Sequence, residues 1–170
     1  MSAIAYRDAT AADAALMARI GPESFTETFG HLYTPENLAA FLVNHSEANW
    51  RGELEDPRFS VRIAEADGEA AGFAKVGPPS LPFEVEGPTA ELRQLYVLKP
   101  WQGAGVAHVL MAWVLDEARR RGAAQLFLSV FTDNHRARAF YARYGFEAVG
   151  VYAFMVGSHA DEDIIMRLKL

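Results

Sequence analysis

A chain of 170 residues, 51% hydrophobic and 22% charged, has the length and composition of one soluble globular domain, able to bury roughly 70% of its unfolded surface. It contains no cysteine, which removes disulfides, zinc–thiolate sites and a catalytic thiol. The net charge of −6 argues against a general nucleic-acid surface and mildly favours a cationic partner.

The opening MSAIAYRDATAADAA is neither a basic nor a continuously apolar leader, and no run reaches the roughly 18 residues of a membrane span. A soluble protein is expected, without nucleic-acid or membrane partners and compatible with the cytoplasm. Residues 3–8 alternate and read as a short strand. Thr10 or Asp13 caps a helix through ALMARI, with a break expected at Gly21-Pro22. ESFTETFGHL is a second helical segment, with Phe25 and Phe29 at i,i+4. Thr34 as N-cap and Pro35 at the first helical position start a helix over PENLAAFLVNH. FSVRIAE (59–65) and AAGFAKV (70–76) flank Asp67-Gly68, a strong hairpin signal. The Pro-rich PPSLPFEVEGP is a loop. After it come a strand, ELRQLYVL (91–98), a helix over 104–121 and a buried strand, QLFLSV. A short helix, HRARAFYARY, is stopped at Gly145, and two strands cover roughly 146–156 and 163–169.

No repeat, low-complexity tract or long linker divides the chain, so residues 1–170 are expected to form a single domain. The order is β, helices, a hairpin, then β-α-β-α-β-β. This predicts an α/β fold with a mixed sheet: hairpins make antiparallel pairs, and the crossover around residues 91–130 makes a parallel one.

Two stretches carry chemistry. In LYVLKPWQGAGVAHVL a strand meets a Pro, then a small-residue turn, then a helix. A helix N-terminus has amides without intrahelical partners and a partial positive charge. Small residues at Gly103, Ala104, Gly105 and Ala107 let an anion, most often a phosphate, reach those amides. Gln102 adds a neutral hydrogen-bonding arm. A Walker loop would need a Lys after its last Gly, and a dinucleotide fingerprint would need a small residue where His108 stands. What remains is Q-x-x-G-x-A, Gln102, Gly105 and Ala107. The plainer alternative is a turn whose glycines only permit tight strand-to-helix packing.

The second stretch, FTDNHRARAFYARYGFEAVG, has the spacing N-x-x-A-x-x-F-Y-x-x-x-G-F. Asn134 and Tyr141 are seven residues apart, so on a helix they share a face about two turns apart, roughly 10 Å along the axis. One can hold a long ligand's amide while the other meets its reactive end. The plainer alternative makes Asn134 a cap and Tyr141 half-buried packing, and packing is the preferred role for Phe140, Tyr144 and Phe146.

Together, over about residues 60–150, these motifs resemble the GNAT superfamily of acyl-CoA-dependent N-acetyltransferases. The resemblance implies a GNAT-like fold, a seven-stranded mixed sheet flanked by helices on both faces, with two central strands splayed to admit the pantetheine arm of acetyl-CoA. It implies that Leu95, Tyr96 and Val97 offer backbone groups to pantetheine. Gln102, Gly103, Ala104, Gly105, Val106 and Ala107, with His108 beside them, would hold the pyrophosphate. Asn134 would contact the pantetheine or adenine-side portion, and Tyr141 would lie near the sulfur.

Acetyl transfer needs a neutral amine, a stabilised carbonyl oxygen and protonation of the departing thiolate. Tyr141 is the candidate acid, because its phenol donates at neutral pH. The resemblance makes a backbone amide near Val97 the oxyanion partner. Strand alternation puts Glu91, Arg93, Leu95 and Val97 on one face. Some family members carry a Glu base at the position of Arg93, so here the assignment shifts to Glu91. Two alternatives stay open: Glu91 as a solvated carboxylate paired with Arg93, and an amine that loses its proton to solvent.

The acceptor site is expected from the first helices and the terminal strands, with Phe25, Phe29, Tyr33, Tyr152, Phe154 and His159 on offer and Phe29, Tyr33, Tyr152 and Phe154 as its candidate residues. FMVGSHADEDIIMRLKL and ESFTETFGHLYTPENLAAFL are similar to segments of bacterial polyamine acetyltransferases, which often carry a His where Tyr152 stands. Glu27, Glu36, Asp161 and Asp163 are either attractors for a polycation or ordinary solvated charges. His31, His45 and His135 are widely spaced without a carboxylate pattern, so no metal site is expected. The reading is an acetyl-CoA-dependent transferase acting on a primary amine of a small molecule, a polyamine in its finer form. The alternatives are acetylation of a protein N-terminus or lysine, and a noncatalytic acyl-CoA sensor. A homodimer is compatible with all three.

Overall fold

Asp67 and Gly68 take φ values of 53° and 79°, both left-handed, as a two-residue hairpin turn requires. In the computed structural model, which describes residues 3–170, this turn joins β2 (Ser60–Ala66) to β3 (Glu69–Gly77). The other strands are β1 (Ala5–Asp8), β4 (Thr89–Val97), β5 (Gln125–Phe131), β6 (Glu147–Val156) and β7 (His159–Lys169). They form one mixed sheet of seven strands in the order β1-β2-β3-β4-β5-β7-β6. The helices are α1 (Ala14–Phe29), α2 (Pro35–Leu42), α3 (Glu47–Glu55), α4 (Val106–Arg120) and α5 (His135–Arg143).

Each face of the sheet has its own core. On one, Val106, Leu110, Met111 and Val114 of α4 pack on Ala74, Val76, Leu92 and Leu128, with Tyr141 of α5 at the margin. On the other, Met17 and Ile20 of α1 and Trp50 of α3 pack on Ile63 and Phe73. Helices therefore cover both faces, as expected.

Three local readings are corrected. The break at Gly21-Pro22 does not occur: α1 runs through Pro22 to Phe29, merging the two segments. Proline inside a helix costs about 3 kcal/mol, and burial of Met17, Ile20 and Phe25 on one side of α1 offsets it. Gly21 is pressed against Trp50, whose ring would stand 3.2 Å from a Cβ there. Helix α3 was not anticipated, although Ser46 caps it by accepting the Asn49 N–H. The alternation in β4 fails at a β-bulge: Lys75 pairs with Gln94 but Val76 with Leu92, leaving Arg93 as the extra residue. Leu92, Leu95 and Val97 therefore join the α4-side core, while Glu91, opposite Gly77, faces the other way.

The feature that makes the site is the parallel seam. β4 pairs with β5 only from Thr89 to Glu91 opposite Gln125 to Phe127. Beyond that the two strands part.

Candidate active site

The gap between β4 and β5 opens into a cleft of about 810 Å³ that passes from the α4–α5 side of the sheet to the α1–α2 side. Along β4, Leu98 N–H bonds Ala71 C=O, so alternation turns the backbone groups of Leu95 and Val97 away from β3 and into the gap. Tyr96 does the reverse. Its backbone lies in the ladder opposite Phe73, and its side chain enters the cleft. Gly72 permits this arrangement, since a Cβ there would lie 2.5 Å from the Tyr96 carbonyl oxygen.

On the α4 side the cleft begins at the small-residue turn. Gly103 and Gly105 have φ of 83° and 82°, a region side chains resist, and a Cβ at either would meet only open space. Gly105 caps α4 without a side chain, and the first helical bond is Val109 N–H to Gly105 C=O. The N–H groups of Val106, Ala107 and His108 thus precede the helical ladder, on residues that line the cleft. This suits a diphosphate. The Gln102 side chain donates to Val97 C=O at 2.9 Å and so fastens the turn to β4. His108 Nδ1 lies 2.7 Å from the Tyr144 hydroxyl, joining α4 to α5. Glu27, one of the candidate attractors for a polycation, accepts the Lys99 N–H at 2.7 Å and braces the same turn.

Asn134 and Tyr141 line the cleft from α5 as the spacing required. Asn134 also caps the helix by accepting the Ala137 N–H. The Tyr141 ring packs between Phe140 and Phe146, at centroid distances of 5.5 and 5.8 Å. Burial pushes its phenol well above the usual tyrosine value, so it stays a donor at neutral pH.

On the α1–α2 side the cleft widens into an aromatic chamber. Phe25 touches Phe29, Tyr33 and Phe41, Phe29 meets Phe131, and Phe41 meets Phe154. The four residues proposed for the acceptor, Phe29, Tyr33, Tyr152 and Phe154, all line it. Register places Phe131 opposite Asp163, Tyr152 opposite Asp163 and Phe154 opposite Asp161, so these residues share one face of the sheet. Asp161 accepts the Tyr33 hydroxyl and pairs with His159 Nε2 at 2.9 Å. Both carboxylates are buried, Asp161 at 8% and Asp163 at 6% exposure. They are not solvated charges. Burial, with the Asp161 charge adding to it and the Ser129 hydroxyl opposing it, raises the Asp163 carboxyl to about 7.

Glu91 is also buried, but both its oxygens are engaged. Ser80 N–H donates at 2.8 Å, the Ser80 hydroxyl at 3.0 Å, and Arg93 Nε stands 3.0 Å away. Sequence reasoning missed Ser129, Phe41, Phe131 and the buried state of Asp163. The available signal was the period-2 placement of Asp161 and Asp163, which puts both beside Ile165 on one strand face.

Residues 22–146 match the acetyltransferase (GNAT) family. An uncharacterised N-acetyltransferase of Mycobacterium tuberculosis (strain H37Rv) is 33% identical over 159 residues, covering 93% of this chain and 98% of its own. The PaiA N-acetyltransferase of Thermoplasma acidophilum, solved in complex with coenzyme A, shares the fold with a TM-score of 0.80 over 99% of both chains at 20% identity. A ribosomal-protein-alanine N-acetyltransferase from Brucella melitensis aligns at 28% identity and a TM-score of 0.68, over 98% of this chain and 99% of its own. The matched residues span both the amide cradle and the tyrosine helix that frame the cleft, and the chain belongs to the GNAT family of acetyl-CoA-dependent N-acetyltransferases.

Proposed function

We propose that the chain acetylates a primary amine of a small flexible polycation of the polyamine class. The observation that carries this is the chamber beyond the gap, where aromatic walls meet two buried carboxylates, Asp161 and Asp163. A polyamine is an apolar chain between cations, and aromatic faces with carboxylates complement both parts.

In this reading the amides of Val106, Ala107 and His108 bind the diphosphate of acetyl-CoA. The gap-facing backbone of Leu95 and Val97 receives its pantetheine arm, and Asn134 contacts that arm from α5. The Val97 N–H is the donor aimed where negative charge develops on the carbonyl oxygen. Tyr141 gives its proton to the departing thiolate. Glu91, engaged by Ser80 and Arg93, holds the loop after β3 against β4.

The test is CoA release from acetyl-CoA across a panel of amines. Spermidine and spermine are expected to react with an apparent affinity that weakens as salt rises, because the attraction is partly screened. A monoamine of similar length should be poorer. The resemblance to a ribosomal-protein-alanine N-acetyltransferase favours a second reading, a protein N-terminus as acceptor. Turnover of peptides with free N-termini, with none of polyamines, replaces the first reading with the second.

A further inference from the structure

We propose that Asp163 is the catalytic base of this enzyme, taking the proton that the acceptor's ammonium group must lose before it attacks the thioester. The inference rests on the amine-acetylation reading above and adds to it the group that takes the proton. Three carboxylates line the cleft, Glu91, Asp161 and Asp163. Glu91 is held by Ser80 and Arg93, and Asp161 by Tyr33 and His159. Asp163 is free of such commitments: the groups that bear on it are the Ser129 hydroxyl and the like charge of Asp161. A carboxylate buried to this degree without a cation is costly to ionise, and an ammonium ion entering the chamber supplies the missing charge. An independent sign of a missing donor is Gln94, which lines the same cleft from β4, across the gap from β7. Its Oε1 is buried without a hydrogen-bond partner among the described residues.

The surroundings set the proton affinity. Asp161 stands two residues away on β7, Tyr152 faces Asp163 from β6 and Ser129 from β5. Tyr96 of β4 and Tyr33, between α1 and α2, lie within electrostatic reach of it, and Glu91 acts on Tyr152. All of these are neutral or negative, and of them only the Ser129 hydroxyl bond lowers the Asp163 carboxyl, against burial and the Asp161 charge that raise it. Its value near 7 is where a general base works best at neutral pH.

The protons balance. The substrate's R–NH3⁺ gives one proton to the Asp163 carboxylate. The freed nitrogen lone pair forms the C–N bond to the acetyl carbonyl carbon. As the C–S bond breaks, its electron pair leaves on sulfur and takes the Tyr141 proton. The second proton lost from nitrogen restores the Tyr141 phenol. Asp163 then returns its proton to solvent, so one amide, one thiol and one proton leave.

The test is the pH profile of kcat/KM with an amine that releases CoA. The wild type is expected to rise with unit slope to pH about 7, stay level, and fall once the unbound ammonium loses its proton at about 10. Asp163→Asn should lose the level region, rising with unit slope to about 10 because only neutral amine reacts. At pH 7 its kcat should fall on the order of 10²-fold, with the acetyl-CoA KM unchanged. Two milder variants cover a failure of that one to fold. Asp161→Asn should move the limb to lower pH and Ser129→Ala to higher pH, opposite shifts that a purely structural role would not produce. A retained plateau in Asp163→Asn, or limbs that do not move, overturns the proposal. If no amine releases CoA, the acetylation reading fails by itself. Asp163 is then judged by carbon NMR of the labelled carboxyls, with methylammonium as probe. A carboxyl titrating near 7 and lowered by methylammonium supports the proposal, and the absence of such a signal overturns it.

Discussion

Tyr141 combines a packed ring with a protonated hydroxyl, and the acid role proposed for it can be separated from its packing. Its ring lies in the aromatic cluster with Phe140 and Phe146, while its buried hydroxyl keeps its proton through the neutral range. Tyr141→Phe keeps the ring and removes the donor. Its thermal unfolding is expected to match the wild type, while kcat falls on the order of 10² or more and acetyl-CoA affinity changes little. Stopped assays of CoA release beside calorimetric titration check both halves, and near-normal turnover means that the thiolate leaves unaided. At this scale the sequence was informative where a residue's role follows from its neighbours along the chain. Asn134 and Tyr141 lie on one helical face because seven residues separate them. The state of Asp163 was hidden, since its burial and the Ser129 hydroxyl that bears on it come from the pairing of β7 with β5 and β6, which its neighbours along the chain do not announce.

Among the elements, β4 decides the geometry of the site, and Gly72 decides β4. Gly72→Ala would set a methyl group 2.5 Å from the Tyr96 carbonyl oxygen and 3.2 Å from Val97 Cα, both backbone atoms that yield only if β4 shifts. A loss of about 1–3 kcal/mol in denaturant unfolding is expected, with weaker acetyl-CoA binding because Leu95 and Val97 move with the strand. Unchanged values in both measurements would show that the strand spacing is slack. Helix α4 is anchored at its other end by Glu117, whose carboxylate takes Ser60 of β2 and pairs with Arg120 and Arg121. Burial raises the Glu117 value, but the Arg121, Ser60 and Arg120 hydrogen bonds outweigh it, and the net effect is a lowering. A carboxyl held below its unfolded value, about 4.3, adds stability above that pH and loses it as pH falls through the folded value. Glu117→Gln is therefore expected to be less stable at pH 7 by about 1–3 kcal/mol. The deficit against the wild type should shrink in acid melts below about pH 4. The bulge at Arg93 and helix α3 were illegible for a common reason. A bulge is settled by the partner strand, and α3 is held mainly by burying Trp50 under Phe73 and Lys75.

Across the whole molecule, the order of strands and helices followed from hydrophobic period and turn chemistry, because each hairpin and crossover leaves its mark on contiguous residues. The extent of the seam left none: nothing in ELRQLYVL or QLFLSV announces that pairing stops after three residues. That short seam has a mechanical consequence. The β1–β4 half and the β5–β7–β6 half of the sheet form two plates joined by backbone pairing along one edge only. Away from that edge they are bridged by the core under α4, which packs on strands of both, and by clasps at the two mouths of the cleft. At one mouth the clasp is His108 against Tyr144, and at the other Tyr33 on Asp161 and Asn37 on Ser158. A ligand lying in the cleft touches both plates and acts as a rivet between them. Whatever binds there at a hundred times its dissociation constant adds about 2.7 kcal/mol against unfolding, and it does so where the backbone ladder between neighbouring strands is shortest. The resistance of this enzyme to heat and proteolysis is thereby tied to how much acetyl-CoA surrounds it.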